Sequence, residues 1–170
     1  RPRAGDGVRR AATDALHRRV LPELARASTR AVRGDLVNPL SEELLDIASG
    51  AAEAAAQFLV QGWAQRTVVS TKSSGTDVVT QMDRGSEALL VEAILDKRPD
   101  DAILGEEGGT RAGTSGVRWV IDPLDGTVNY LYGFPVWAVS VAAFVDGVPT
   151  VGVVHAPALA AVWRGVAGGF

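Results

Sequence analysis

The sequence predicts a layered α/β fold in which helices precede and pack on a mainly antiparallel sheet. Two stretches, the alanine-rich 42–63 and the segment 76–98, place apolar residues at helical spacing, which is typical of amphipathic helices. The stretch 102–166 contains short β-branched and aromatic runs between turns rich in glycine, proline and aspartate, which is typical of strands. With 170 residues, 46% of them hydrophobic, the chain is large enough to bury one core.

Charge and composition exclude several classes of protein. The first forty residues hold nine arginines and four acids, and the remainder holds eight basic and sixteen acidic residues. An apolar stripe predicts a helix over 8–33, whose arginines form either a solvated face, the simpler interpretation, or a surface for an acidic partner or nucleic acid. The absence of cysteine excludes disulfides, thiolate metal sites and cysteine nucleophiles. No apolar run is long enough to cross a bilayer, so we expect a soluble protein.

Turn residues divide the helical part of the chain. Asn38-Pro39 breaks the first pattern, and Ser41 is the predicted start of a helix that extends to about Trp63. The β-branched run 67–71 is a predicted short strand and is followed by a loop. The second helix is expected to end before Pro99, which cannot continue it.

Acidic side chains follow two of the predicted strands. The strand at 102–104 is followed by Gly105-Glu106-Glu107, and the strand at 118–121 is followed by Asp122. Acids between glycines also fit a plain exposed turn, but acids at two strand ends can converge on one metal ion in a layered fold. Three further apolar runs predict an antiparallel meander, at 136–145, 150–155 and 161–166.

The segment after the strand at 118–121 is the strongest candidate for a functional site. Asp122 and Asp125 place two carboxylates three residues apart, and hard divalent cations prefer such oxygen ligands. Pro123 restricts the backbone of Asp122, while Gly126 allows the chain to approach a ligand closely. Taken alone, the pattern also fits a surface Asp-Gly turn. The combination of residues favours a metal site.

Two other sets of residues have alternative interpretations. Asp83, three residues after Thr80, fits a helix capping box as well as a catalytic role. Four aromatic residues follow the candidate loop and either line a pocket or, as we expect, pack in the core because aromatic side chains bury much area. They are Tyr130, Tyr132, Phe134 and Trp137.

The order of these motifs resembles the inositol monophosphatase family of metal-dependent, lithium-sensitive phosphatases. Residues 122–127 match the family's Asp-Pro-Ile/Leu-Asp-Gly-Thr signature, and 105–107 match its upstream Gly-Glu-Glu. Lys72 and the Val79-Thr80-x-x-Asp83 segment match the part that precedes these two. Four blocks in the family's order make the resemblance specific.

The resemblance implies a site for two Mg²⁺ ions, with Mn²⁺ as a substitute. Glu106, Asp122 and the backbone carbonyl of Leu124 would hold one ion, and Asp122 and Asp125 would hold the other. Two such ions can clamp a phosphate ester, one activating a water molecule and the other stabilising the leaving oxygen.

Further roles follow from the same resemblance. Thr127 would orient and help to deprotonate the attacking water with Asp83 as its carboxylate partner, because a lone hydroxyl is too weak a base. The N–H groups of Gly126 and Thr127 would bind phosphate oxygens. Lys72 would lie near the metals, although a surface position suits a lysine equally well.

The resemblance covers about 44–170 and implies a phosphatase portion at 41–170 after an arginine-rich extension at 1–40. The family's C-terminal half, with its Trp-Asp-x-Ala-Ala-Gly motif, is not in this sequence, so we expect the N-terminal, metal-loop half of such an enzyme. The implied protein is a cytoplasmic homodimer that uses a small phosphorylated substrate and contacts neither membrane nor nucleic acid. Inositol monophosphate is the leading substrate. Fructose 1,6-bisphosphate, histidinol phosphate and nucleotide-derived phosphates are alternatives, as is a non-catalytic protein that binds metal or phosphate on the same fold.

Overall fold

The chain divides into two compact units, Arg1–Gly34 and Asp35–Phe170. A computed structural model describes residues 38–65, 75–106 and 110–167, all of which belong to the second unit. None of the helices in these ranges is long and apolar enough to cross a membrane. Four sequence predictions fall outside the described residues: the helix at 8–33, the strand at 67–71, Lys72 and Glu107.

The first helix, α1, spans Pro39–Gln65 and packs on the sheet with one alanine-rich face. Alanine has the highest helix propensity, and its small side chain lets a helix approach its neighbours closely. This face therefore combines a stable helix with tight packing. Its fully buried residues are Leu44, Ala48, Ala51, Ala52, Ala55, Ala56 and Leu59.

The helix α1 begins at Pro39, two residues before the predicted start at Ser41. Asn38 caps it: the Ser41 N–H donates to Asn38 Oδ1 at 2.9 Å, and the Asn38 N–H donates to Ser41 Oγ at 2.9 Å. This reciprocal pair satisfies donors that the first helical turn leaves free. Pro39 occupies the first helical position, where proline is tolerated because no N–H is needed. The dipeptide read as a break therefore initiates the helix.

The second helix, α2, spans Gly75–Lys97 and ends before Pro99 as predicted. Leu90 and Ile94 on its buried side are fully enclosed in the core. Asp83 lies in the third turn of this helix, eight residues after its first residue. Because a capping side chain must lie at the helix start, the capping-box interpretation of Asp83 is wrong.

In the described part of the chain, the sheet has six strands in the order β2-β1-β3-β4-β5-β6. The strands β1 and β3 pair in parallel, and every other pair is antiparallel. The predicted meander is confirmed as β4, β5 and β6, so the mainly antiparallel sheet is also confirmed. The strands are β1 Ala102–Gly105, β2 Thr110–Arg111, β3 Val117–Asp125, β4 Ala138–Val145, β5 Val148–Ala156 and β6 Ala161–Val166. The 3₁₀ turn Pro157–Leu159 joins β5 to β6.

The two faces of the sheet differ in burial because side chains alternate along each strand. One face joins the alanine-rich side of α1 in a common core that includes Ile103, Trp119 and Val141. On the other face, Val154 of β5 lies opposite Trp163 of β6, and these two side chains are 38% and 56% exposed. The core of the described unit therefore lies on the helical side of the sheet.

A buried carboxylate fixes the region where β1 and β3 begin. Asp101 accepts hydrogen bonds from Trp119 Nε1 at 2.8 Å, from Arg98 Nε at 3.0 Å and from the Ser115 hydroxyl. Its side chain is almost completely enclosed, and Arg98 balances its charge. Arg98 also donates to Glu43 of α1. Asp101 thus connects the end of α2, the loop before β3 and β3 itself.

We expect Asp101→Asn to lower the free energy of unfolding by about 3 kcal/mol, because it removes one partner of a buried ion pair and places an amide NH₂ among hydrogen-bond donors. Urea unfolding measures this change. Asp100→Asn is the matched control, since the Asp100 side chain is exposed and its backbone carbonyl is the group that accepts hydrogen bonds, from Thr114 and Ser115. Equal losses in the two variants would contradict the role given to Asp101.

Candidate active site

The strand register brings Glu106 next to Asp122. In the parallel pair of β1 and β3, Gly105 lies opposite Ile121, so the residues that follow each of them are neighbours at the same edge of the sheet. The Glu106 side chain lies close enough to Asp122 to raise the pKa of its carboxyl, through its negative charge and through a side-chain hydrogen bond. The predicted convergence of acids from two strand ends is therefore present for Glu106 and Asp122.

The segment that carries the aspartates is a bulged strand rather than a loop. Asp122 pairs with Ser140 and Asp125 pairs with Ala138, so three steps along β3 oppose two steps along β4. One extra residue is accommodated between the two aspartates, which is the defining property of a β-bulge. The sequence prediction ended this strand at Ile121, and the structure extends it to Asp125. The prediction was wrong because proline and glycine signals resemble a turn.

Side chains bind the backbone polar groups of this bulge. The Leu124 N–H donates to Asp122 Oδ1 at 3.1 Å, and the Thr127 hydroxyl donates to the Leu124 carbonyl at 3.0 Å. The buried Ser86 hydroxyl of α2 donates to the Pro123 carbonyl at 2.7 Å. These bonds replace ladder bonds that a bulge disrupts, so the conformation of the bulge depends on specific side chains.

The environment of Asp122 disfavours its charged form. Burial, the negative charges of Glu106 and Asp125, and the hydrogen bond with Glu106 raise the pKa of Asp122 from 3.8 to about 8, against an opposing effect of the Leu124 N–H. Near neutral pH the Asp122 carboxyl therefore keeps its proton. A cation at this position would replace the proton and remove the repulsion, which is the electrostatic situation expected of a metal-ligand carboxylate.

These residues fit a hard divalent cation in donor chemistry, since they offer carboxylate and carbonyl oxygens. Glu106 and Asp122 already form a pair, while Asp125 is exposed and acts on Asp122 through its charge. Within the described ranges, no three histidine or acidic side chains are gathered closely enough to enclose an ion. Of the predicted acidic ligands, Glu106 and Asp122 are thus the two that the fold brings together.

Gly126 is required by the turn that follows the bulge. It precedes a short helix, α3, at Thr127–Tyr132, and adopts φ 86°, a left-handed conformation that favours glycine. A Cβ at this position would lie 2.9 Å from the Val136 carbonyl oxygen. The Asn129 side chain donates to the same carbonyl at 2.7 Å and closes the loop around α3. The roles of Gly126 and Thr127 in phosphate binding remain predictions.

The aromatic residues after the bulge divide into two groups. Tyr130 and Trp137 are buried, with their rings edge to face at 5.0 Å, and Trp137 meets Trp63 of α1 in the same way at 5.8 Å. The Tyr130 hydroxyl donates to the Leu59 carbonyl of α1 at 2.7 Å. The expected core packing is confirmed for these two. It is wrong for Tyr132 and Phe134, which are exposed.

One polar face of α2 was missed by the sequence analysis. Asp83, Ser86 and Glu87 are all buried, and α2 packs on β3 and α3. They occupy positions i, i+3 and i+4, in line with the apolar positions Leu90 and Ile94 further along the helix. Polar residues that continue an apolar stripe are the signal that would have identified this face. The predicted site residue Asp83 therefore lies on the same side of α2 as the Ser86 bond to the bulge.

The fold and the paired carboxylates define a class, layered α/β proteins with acidic side chains gathered at one edge of the sheet. A comparison with family models makes the assignment specific, because residues 40–169 match the inositol monophosphatase family. The chain belongs to that family. Its members are generally metal-dependent, in agreement with the oxygen donors gathered at the bulge.

Individual relatives carry several names. The chain is 52% identical over 91 residues to an inositol-1-monophosphatase of Mycobacterium leprae, covering 51% of this chain and 31% of that protein. It is 45% identical over 95 residues to a histidinol-phosphatase of Mycobacterium tuberculosis, covering 56% and 36%. The structure of an inositol monophosphatase from Anabaena (Nostoc) sp. PCC 7120 matches with TM-score 0.63 and 37% identity over 75% of this chain and 45% of that one. The chain spans less than half the length of these relatives.

We expect Gly126→Ala to destabilise the chain by at least about 2 kcal/mol, from the left-handed backbone and from the clash with the Val136 carbonyl. Gly147→Ala separates the two causes. Gly147 also has a positive φ, of 80°, but nothing lies within 4 Å of the position that an alanine methyl group would take, so we expect a loss of only about 1 kcal/mol there. Thermal unfolding of both variants measures the difference, and equal losses would rule out the clash.

We expect Asp122→Asn to stabilise the metal-free chain at pH 7, on the order of 3 kcal/mol, because the wild-type chain must take up a proton at Asp122 when it folds and an amide needs none. In the wild type, the unfolded chain loses this proton near pH 4 and the folded chain near pH 8. Stability should therefore fall as pH rises between these values and stay level above them. The variant should lack this slope.

Urea unfolding at pH 5 and pH 7 in the presence of EDTA measures that slope. Asp46→Asn, at an exposed position of α1, is the control and should behave as the wild type. A wild type whose stability is flat between the two pH values would contradict the raised pKa of Asp122.

Proposed function

We propose that the chain forms the metal-holding and water-activating part of a Mg²⁺-dependent phosphoric monoester hydrolase. The observation that carries this proposal is the partly buried Asp122 carboxyl beside Glu106, whose charge is unfavourable without a cation. Membership of the inositol monophosphatase family supports the reaction class. The chain spans less than half the length of these relatives, so the proposal concerns the part of the site that these residues supply.

In this proposal, Glu106, Asp122 and the Leu124 carbonyl hold one Mg²⁺ or Mn²⁺, and Asp122 and Asp125 contribute to a second. When bound, the ions supply Lewis-acid activation of water and charge stabilisation for the leaving oxygen. The exposed position of Asp125 leaves it accessible from solvent. The Thr127 hydroxyl, which donates to the Leu124 carbonyl, keeps that carbonyl in a defined orientation.

Thr127 also orients the attacking water: in the reaction its hydroxyl would give its proton to Asp83, in place of the Leu124 carbonyl, while it accepts a proton from that water. Thr127 begins α3 and Asp83 is buried on α2, and these two helices pack on each other, which supports a joint role. A carboxylate partner is needed because a hydroxyl is a weak base at neutral pH. The N–H groups of Gly126 and Thr127 bind phosphate oxygens of the substrate.

Inositol monophosphate is the proposed substrate, because relatives named inositol-1-monophosphatase align with this chain. A histidinol-phosphatase aligns at similar identity, so histidinol phosphate is the principal alternative. Fructose 1,6-bisphosphate and nucleotide-derived phosphates come next. The proposal includes inhibition by Li⁺, a cytoplasmic location and a homodimer, all of which follow from family membership alone.

Metal binding is tested on the chain itself by isothermal titration with Mn²⁺ after removal of bound metal with EDTA. We expect Asp122→Asn and Glu106→Gln each to weaken binding at least about tenfold, since amides lack the anionic oxygen that hard cations prefer. Asp46→Asn should bind as the wild type does. Equal affinity in the wild type and all three variants would contradict the proposed metal site.

Hydrolysis is tested with the chain joined to the part of the Anabaena inositol monophosphatase that it does not cover. Phosphate release from inositol 1-phosphate, histidinol phosphate, fructose 1,6-bisphosphate and 2′-AMP is compared with and without Mg²⁺. We expect Mg²⁺-dependent, Li⁺-inhibited release that is fastest for inositol 1-phosphate. A folded fusion that binds Mn²⁺ but hydrolyses none of the four would contradict the proposed function.

A further inference from the structure

The hydroxyl of Ser86 connects α2 to the backbone of the bulge. Ser86 is fully buried, and its hydroxyl donates to the Pro123 carbonyl, which lies 37 positions along the chain, at 2.7 Å. Pro123 is buried as well. A buried carbonyl that loses its donor costs about 1–3 kcal/mol, so this bond holds the bulge in its observed conformation.

The Pro123 carbonyl belongs to the same peptide plane as the Leu124 N–H. A peptide unit is rigid, so a bond that fixes the C=O direction also fixes the direction of the N–H at the other side of the plane. That N–H donates to Asp122 Oδ1 at 3.1 Å. Ser86 and the Asp122 carboxyl are therefore connected through one rigid unit.

We infer that Ser86 is a positioning residue for the Asp122 carboxyl. The other two side chains that bond to the bulge, Asp122 and Thr127, belong to the same segment or directly follow it, and they move with it. Ser86 belongs to a different element, the helix α2, which packs on β3. Its position therefore does not change when the bulge moves. It sets the peptide plane, and the plane orients the carboxyl toward Glu106. This inference rests on the proposed metal function for its first test and is independent of it for its second.

A purely structural role for Ser86 would lower stability and leave Asp122 unaffected. The two roles are separated by a readout at Asp122 together with a matched control. Ser49 provides the control, because its hydroxyl donates to the Leu45 carbonyl within α1 at 2.7 Å, away from the bulge. Ser49→Ala removes the same chemical group and should leave metal affinity and amide exchange at the bulge unchanged.

The first test is Mn²⁺ titration of the wild type, Ser86→Ala and Ser49→Ala, with folding checked by circular dichroism. We expect Ser86→Ala to bind Mn²⁺ about 10–100-fold more weakly, the loss typical when a group that orients a metal ligand is removed. If alanine prevents folding, Ser86→Cys keeps the size of the side chain with a weaker donor and should show a smaller loss. A folded variant with unchanged affinity would overturn the inference.

The second test needs no metal. Amide hydrogen exchange by NMR should show the Leu124 N–H exchanging at least about tenfold faster in Ser86→Ala than in the wild type, because freeing the peptide plane weakens its bond to Asp122. The Val141 N–H, in the middle of the sheet, should accelerate only by the factor that the lower global stability of the variant accounts for, and less than the Leu124 N–H does. If the wild type binds no Mn²⁺, the proposed metal function fails, and the exchange at Leu124 alone decides the role of Ser86. Unchanged or uniformly accelerated exchange would overturn it.

Discussion

The parallel pairing of β1 with β3 is the constraint on which the candidate site depends. Every other strand pair in the sheet is antiparallel. Parallel strands end at the same edge, so Glu106 after β1 and Asp122 within β3 become neighbours, whereas an antiparallel pair would separate them by the length of a strand. Asp101 secures the opposite end of the same two strands by bonding to Trp119 and to the end of α2. Strand direction therefore determines the chemistry available at this edge.

This arrangement places carboxyl groups of like charge close together in the folded chain, which is electrostatically unfavourable. Asp122 is partly buried near two other acids, and the surrounding backbone bulge is maintained by side-chain hydrogen bonds rather than by a regular ladder. Such features reduce stability and persist where function requires them. A cation bound at this position would remove the repulsion, and that relief would contribute to its binding free energy. The alanine-rich packing of α1 and the sheet core offset the cost.

Features that follow from hydrophobic periodicity or from neighbouring residues could be predicted from the sequence. Features that depend on residues far apart in the chain could not. The meander, the stripes of α1 and α2, and the acids at adjacent strand ends all followed from periodicity and from residues next to one another. The bulge in β3 was read as a loop because Pro123 and Gly126 give a local turn signal, while its pairing with β4 is a long-range property. Ser86 and Asp101 escaped notice since their partners lie 37 and 18 positions away.

The aromatic cluster of Trp63, Tyr130 and Trp137 is a natural spectroscopic probe close to the candidate site. Trp137 follows the loop that Gly126 and Asn129 close, and its ring contacts Tyr130 of α3 and Trp63 of α1. Aromatic side chains held at fixed angles in an asymmetric environment produce near-ultraviolet circular dichroism, which disappears when packing loosens. The near-ultraviolet circular dichroism of the unmodified chain therefore contains a contribution that reports on the packing around α3.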